Sequence, residues 1–169
     1  MLRVAQFNSN GRIAARRNKS SSVSKTRALQ FLAKGQSMFP MIAEGDTVYI
    51  ERISPLKVKV GDIICFLRGK KLVTHRVLAR KEDSTWVTKG DRPLLNDREL
   101  VTKDNLIGRV SRIKTASGKR IIPNRYPYSI VNLAITQYMR LTLKFPWLRK
   151  INKGGQPILT TLFGRYMSL

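Results

Sequence analysis

From Gly45 onward the chain is a series of short β-branched and aromatic runs cut by turn-forming pairs: GDTVYIERI, VGDIICFLRG, KLVTHRVLARK, TWVTKGD and LIGRVSRI. Valine, isoleucine, threonine and the aromatics fit a pleated surface, and Gly-Asp, Gly-Lys and Asp-Ser supply the backbone of tight turns. Several short strands at this spacing point to an antiparallel, mainly β core rather than to βαβ units. The RGKK segment between two of the runs is expected to form a tight hairpin. Upstream, TRALQFLAKG carries Leu29, Phe31 and Leu32 and is expected to enter the core as a short helix or strand.

The two ends have a different texture. Residues 1–25 finish in RRNKSSSVSK, a polar, serine-rich run with little to bury, and are expected to be a disordered basic tail. Residues 26–122 then form the β domain and residues 123–169 a basic helical extension. Within that extension Val131, Ala134, Ile135, Tyr138, Leu141 and Phe145 recur at spacings of three and four. This predicts an amphipathic helix with Arg140 and Lys144 off the apolar stripe, ended or kinked by Pro146. Such a stripe either packs on the core or, with Trp147 near its end, lies on a membrane surface. WLRKINKGGQP is expected as a loop and ILTTLFGRYMSL as a further apolar element.

Charge is distributed unevenly. The 169 residues hold 33 Lys and Arg against 10 Asp and Glu, a formal net charge of +23. Every acid lies between Glu44 and Asp104, whereas the residues before Gly35 and after Asp104 carry 8 and 12 basic residues and no acid. A near-neutral middle with basic flanks suits either a solvated basic surface or a compact unit whose flanks meet nucleic acid, anionic lipid or an acidic protein, among which charge alone does not choose. Peripheral membrane contact through the flanks is the expectation carried forward, and nucleic acid is not. Cys65 is the single cysteine, so an internal disulfide is excluded; in DIICFLRG it reads as a small core residue. With one cysteine and one histidine, neither a cysteine cluster nor a histidine-rich zinc site is available, and no metal or other cofactor is expected. Spanning a bilayer takes about 20 nearly uninterrupted apolar residues. The most apolar stretch, SIVNLAITQYMRLTLKFPWL, is broken by Asn132, Gln137, Arg140 and Lys144, and the N-terminus lacks the apolar region of a secretory signal. A cytoplasmic or peripheral membrane location is therefore expected.

Against that frame one serine stands out. In KGQSMFPMIAEGD, Ser37 lies between Gly35 and Pro40, just ahead of a Gly-Asp turn. A serine hydroxyl is a weak nucleophile unless a base stands within hydrogen-bond reach. The only histidine, His75, lies in the strand-like LVTHRVL, and an ordinary imidazole is largely neutral near pH 7, the form that accepts a hydroxyl proton. Downstream, TKGDRPLLNDREL supplies Asp91 and Asp97, either of which could fix the imidazole tautomer and stabilise the imidazolium formed during attack.

The ordered boxes GQSMFPMIAEGDTVYI, VKVGDIICFL, VTHRVL, VTKGDRPLLND and LIGRVSRI resemble those of type I signal peptidases, and most closely the archaeal, endoplasmic-reticulum and sporulation-type branch. The resemblance implies an antiparallel β core of the kind shared with LexA-like repressors, and hydrolysis of a peptide bond after small residues in a peptide or preprotein. It implies that Ser37 attacks, with its own backbone N–H in the oxyanion hole, that His75 is general base and then acid, and that Asp91 or Asp97 orients it. Met38 and Pro40 would shape the turn and the wall of a shallow substrate cleft.

Three departures qualify the likeness. The family usually carries a membrane-spanning segment. Its Lys-Gly-Asp box commonly continues with asparagine, where this chain has Arg92-Pro93, and the basic extension after Ile113 has no counterpart. The hydroxyl that some members place two residues before the nucleophile is replaced here by Gly35. Two other function classes compete. One is a self-cleaving, LexA-like DNA-binding regulator, against which stand the 34 short, polar residues ahead of the serine box and a histidine at the base position. The other is an idle β module tethered by its flanks to lipid or nucleic acid.

Overall fold

The computed structural model of the chain describes residues 29–92 and 100–145. The expected tail at 1–25, Asp97, Pro146, Trp147 and the expected elements after them lie outside the described residues. Seven strands form one antiparallel sheet: β1 Leu29–Leu32, β2 Thr47–Glu51, β3 Ile63–Arg68, β4 Lys71–Lys81, β5 Thr85–Lys89, β6 Leu106–Lys114 and β7 Arg120–Ile121. The spatial order is β1-β2-β6-β3-β4-β5, with β7 paired to β6, and one helix, α1 Tyr128–Lys144, follows. The protein is thus mainly antiparallel β with a helical C-terminal extension, as the strand-and-turn pattern predicts.

Local chemistry explains the joints. β3 and β4 meet in a two-residue hairpin closed by Arg68 opposite Lys71, and Gly69 at its first central position has a φ of 56°. That sign of φ is what a hairpin matching the strand twist demands there, and glycine adopts it without Cβ strain. Where β6 crosses β2 and β3, both ladders shift register, between Tyr49 and Ile50 and between Cys65 and Phe66. Gly108 lies in this crossing; a Cβ there would stand 2.3 Å from the Glu51 carbonyl oxygen. Only glycine lets the two backbones come so close.

The sheet is buried on both faces at its centre. On one face Ile63, Cys65, Val48, Ile50, Val110 and Ile113 pack with Met38 and Met41 of the β1–β2 loop and with the helix. On the other, Ile64, Phe66, Val77, Trp86 and Val101 form a smaller cluster. This is why IICF in β3 is a continuous apolar run while β2 alternates between partly and fully buried residues.

The helix corrects one expectation. Its inward face is Val131, Asn132, Ile135, Thr136, Met139 and Thr142, so Leu141 and Phe145, placed by periodicity on the packing stripe, point outward. The inward polar groups are satisfied locally: Asn132 Nδ2 donates to the Gly61 carbonyl at 3.1 Å, and the Thr136 and Thr142 hydroxyls donate to carbonyls one turn back, each at 2.7 Å. Two of the three inward polar residues, Asn132 and Thr136, face a buried arginine, Arg76 of β4. Among the described residues no helix is long and apolar enough to cross a membrane.

Candidate active site

Ser37 lies in the loop that joins β1 to β2. The loop is held at its base by Asp46, whose carboxylate accepts the Ala43 and Ala116 backbone N–H groups at 2.8 and 3.1 Å, and by a backbone hydrogen bond from Ala33 N–H to the Asp46 carbonyl at 2.7 Å. Its apolar residues Met38, Pro40, Met41 and Ile42 turn inward and are buried, which leaves Ser37 exposed at the crest. Gly35, two residues earlier, takes a φ of 88°, so the position that other sequences fill with a hydroxyl serves here as a backbone bend. Among the described residues the Ser37 backbone N–H has no intramolecular acceptor.

Two depressions flank the crest. One, of about 30 Å³, is lined by Phe31, Ala33, Lys34, Ser37, Met38 and Thr74 and mixes apolar and polar surface. The other, of about 330 Å³, is lined by Gln36, Phe39, Ala43, Glu44 and Arg92. Met38 contributes to the first as the sequence suggests; Pro40 is buried beneath the loop and lines neither.

The serine loop is joined to the Lys-Gly-Asp box. The Arg92 backbone N–H donates to the Ser37 carbonyl at 2.9 Å, and the Arg92 guanidinium donates to the Gln36 side chain. Two segments with 54 residues between them in the chain are thereby locked together, as one site built from both boxes requires.

His75 lies in the middle of β4, opposite Ile64 of β3, and is 7% exposed. Alternation along β4 turns Thr74 to the face that carries Cys65 and the serine loop, and His75 to the other, where its ring meets Phe66 edge-on at 6.2 Å between centroids. Among the described residues no hydrogen bond links the Ser37 hydroxyl to His75. The two residues nonetheless lie near one strand edge. β5 pairs with β4 only from Arg76 onward, so on that side Thr74 and His75 border the point where residues 90–92 leave the sheet toward Ser37.

Asp91 is buried and bound to another partner. Its Oδ1 accepts Arg76 Nε at 2.8 Å and its Oδ2 accepts Arg76 Nη2 at 2.7 Å, with neither side chain exposed. The remaining arm of Arg76 donates to the Asn132 side chain of α1 and lies 3.4 Å from the Gly61 carbonyl oxygen. Asp97 lies outside the described residues. The structure therefore brings together Ser37, Met38 and the Lys-Gly-Asp box, commits Asp91 to Arg76, and turns His75 away from the groove beside Ser37. Arg76 was missed as a site residue in the sequence; its one signal is its position directly after His75. Comparison with protein-family models, with curated proteins and with solved structures returns no match.

Proposed function

We propose that the chain is a serine endopeptidase of the signal-peptidase type, cleaving a leader or signal peptide after small residues. The observation that carries this proposal is the exposed Ser37 crest, set between two depressions and tied by its carbonyl to Arg92 at 2.9 Å. An extended peptide laid across the crest would place one side chain in the smaller depression and continue over the Arg92 side. A recess with room of only about 30 Å³ suits nothing larger than a small side chain.

In the proposed reaction the His75 ring, which faces the opposite side of the sheet from the serine loop, must first come within hydrogen-bond reach of Ser37. Ser37 Oγ then attacks the scissile carbonyl as His75 takes the hydroxyl proton. The Ser37 N–H stabilises the oxyanion. The tetrahedral intermediate expels the amine, which receives the proton from His75, and a water deprotonated by His75 then hydrolyses the acyl ester to regenerate Ser37. Both Asp91 oxygens are engaged by Arg76, which favours Asp97 over Asp91 for the orienting role. Arg76 and Asp91 act through position: they hold β4 and the Lys-Gly-Asp box in register beside the serine loop.

A second proposal, the idle β module, is favoured by the absence of a hydrogen bond between the Ser37 hydroxyl and His75. Incubation with a fluorophosphonate, which traps an activated serine, separates the two. Labelling of the wild type that disappears in Ser37→Ala and His75→Ala is expected; no labelling of the folded wild type would leave the idle module.

A further inference from the structure

The outer face of α1 carries three large aliphatic residues, although its inner face, with Val131, Ile135 and Met139, is already docked on the core. Ile130, Leu133 and Leu141 are 60%, 58% and 49% exposed, while Asn132, Thr136 and Thr142 are buried. At 100° per residue, Ile130, Leu133, Gln137, Leu141 and Lys144 fall within an arc of about 80°, so the exposed aliphatics form one stripe. Scattered single apolar residues on a surface need no explanation, but three large aliphatics on one stripe, broken only by Gln137, of a helix already docked by its other face do. Basic residues frame it: Arg125 before the helix, Arg140 and Lys144 in its last turns, all exposed, and Tyr126, 79% exposed, stands at its N-terminal end.

We infer that this face seats the protein on an anionic lipid surface, with Ile130, Leu133 and Leu141 at the acyl boundary and Arg125, Arg140 and Lys144 among the headgroups. Charge selects the occupant. No acid follows Asp104, so residues 146–169, which follow α1 in sequence, would bring Arg149, Lys150, Lys153 and Arg165 toward a face that is already basic. A second copy of α1 would do the same. A nucleic acid would use the basic residues on its phosphates but has no counterpart for an aliphatic stripe, since bases stack on aromatic rings. An anionic bilayer matches both components, because aliphatic side chains gain from leaving water while Arg and Lys stems reach back to the headgroups. The inference is independent of the peptidase proposal.

The test is co-sedimentation of the full chain with phosphatidylcholine vesicles, with and without one third phosphatidylglycerol. Wild type should bind the anionic vesicles, and a variant with Ile130→Gln, Leu133→Gln and Leu141→Gln together should bind at least tenfold more weakly at the same salt, a conservative expectation for three partly inserted aliphatics. Its circular dichroism and thermal midpoint should match the wild type, since all three positions are exposed. Absence of wild-type binding would overturn the inference. So would equal binding of the variant, which would assign adhesion to the basic flanks alone, or sedimentation of the wild type as a dimer that the variant abolishes.

Discussion

Arg76 and Asp91 form a two-point ion pair in a fully buried setting, Nε to Oδ1 at 2.8 Å and Nη2 to Oδ2 at 2.7 Å. Arg76 is the residue after the candidate base, Asp91 lies in the segment bound to the candidate nucleophile, and the free arm of the guanidinium reaches α1. One cation thus ties the central sheet, the serine loop and the C-terminal helix. Removing one partner of such a pair leaves a buried charge without compensation, at a cost of about 3–5 kcal/mol. Asp91→Leu and Arg76→Met should each lower the unfolding free energy measured by urea titration by that much, and the double variant by less than the sum. Additive losses would mean that the two charges are not coupled.

Asp91 and Asp97 should separate cleanly. Asp91→Asn is expected to lose thermal stability, since the amide cannot balance the buried guanidinium. Asp97→Asn is expected to leave the midpoint in place and to cut turnover by about a hundredfold or more, the scale of loss when the carboxylate behind a catalytic histidine is removed. The opposite pattern, with Asp91→Asn stable and inactive, would return the orienting role to Asp91.

Gly108 permits the close approach of β6 to β2. In Gly108→Ala the new methyl would stand 2.3 Å from the Glu51 carbonyl oxygen and 2.8 Å from Ile50 Cγ2, and backbone cannot yield as a flexible side-chain tip does. A loss of about 2 kcal/mol or more is expected, measured by denaturant unfolding. An unchanged midpoint would show that the crossing is looser than described.

Cys65 supplies a pH-dependence. Burial pushes its thiol from 9.0 up to about 12, so the folded state holds the proton where the unfolded chain releases it. Stability is then fully present below pH 9.0 and falls as pH rises toward about 12, by at most roughly 1.4 kcal/mol per pH unit. Cys65→Ala should flatten that alkaline limb while losing some core packing. In native protein near pH 8 the thiol should also resist dithionitrobenzoate until denaturant is added; immediate labelling would contradict its burial.

Trp86 is wholly buried with its Nε1–H unpartnered. Replacing it with phenylalanine removes an unsatisfied donor along with some volume, so the loss should stay under about 1.5 kcal/mol, against about 3–5 for Trp86→Ala. Similar losses for both variants would point to a hidden partner for the indole.

Much of the sheet was legible because strand signals are local. β-branched runs between Gly-Asp and Gly-Lys turns mark β2 to β6, and RGKK marks the hairpin at Gly69. TRALQFLAKG, open between helix and strand in the sequence, became β1 by pairing with β2. The exposed serine was legible for the same reason, since Met38, Pro40 and Met41 around it have an apolar interior to enter and Ser37 has none.

What the sequence alone determined is the set of strands, the turns between them and the basic flanks, because each follows from side-chain shape, backbone preference or charge within a few residues. The tertiary structure alone decided the partner of Asp91, the side of β4 on which His75 points and the inward face of α1. These depend on contacts between segments far apart in the chain. A buried guanidinium that must satisfy its N–H groups brought Asn132 and Thr136 inward beside Val131 and Ile135, and the expected stripe yielded Leu141 and Phe145 to the surface.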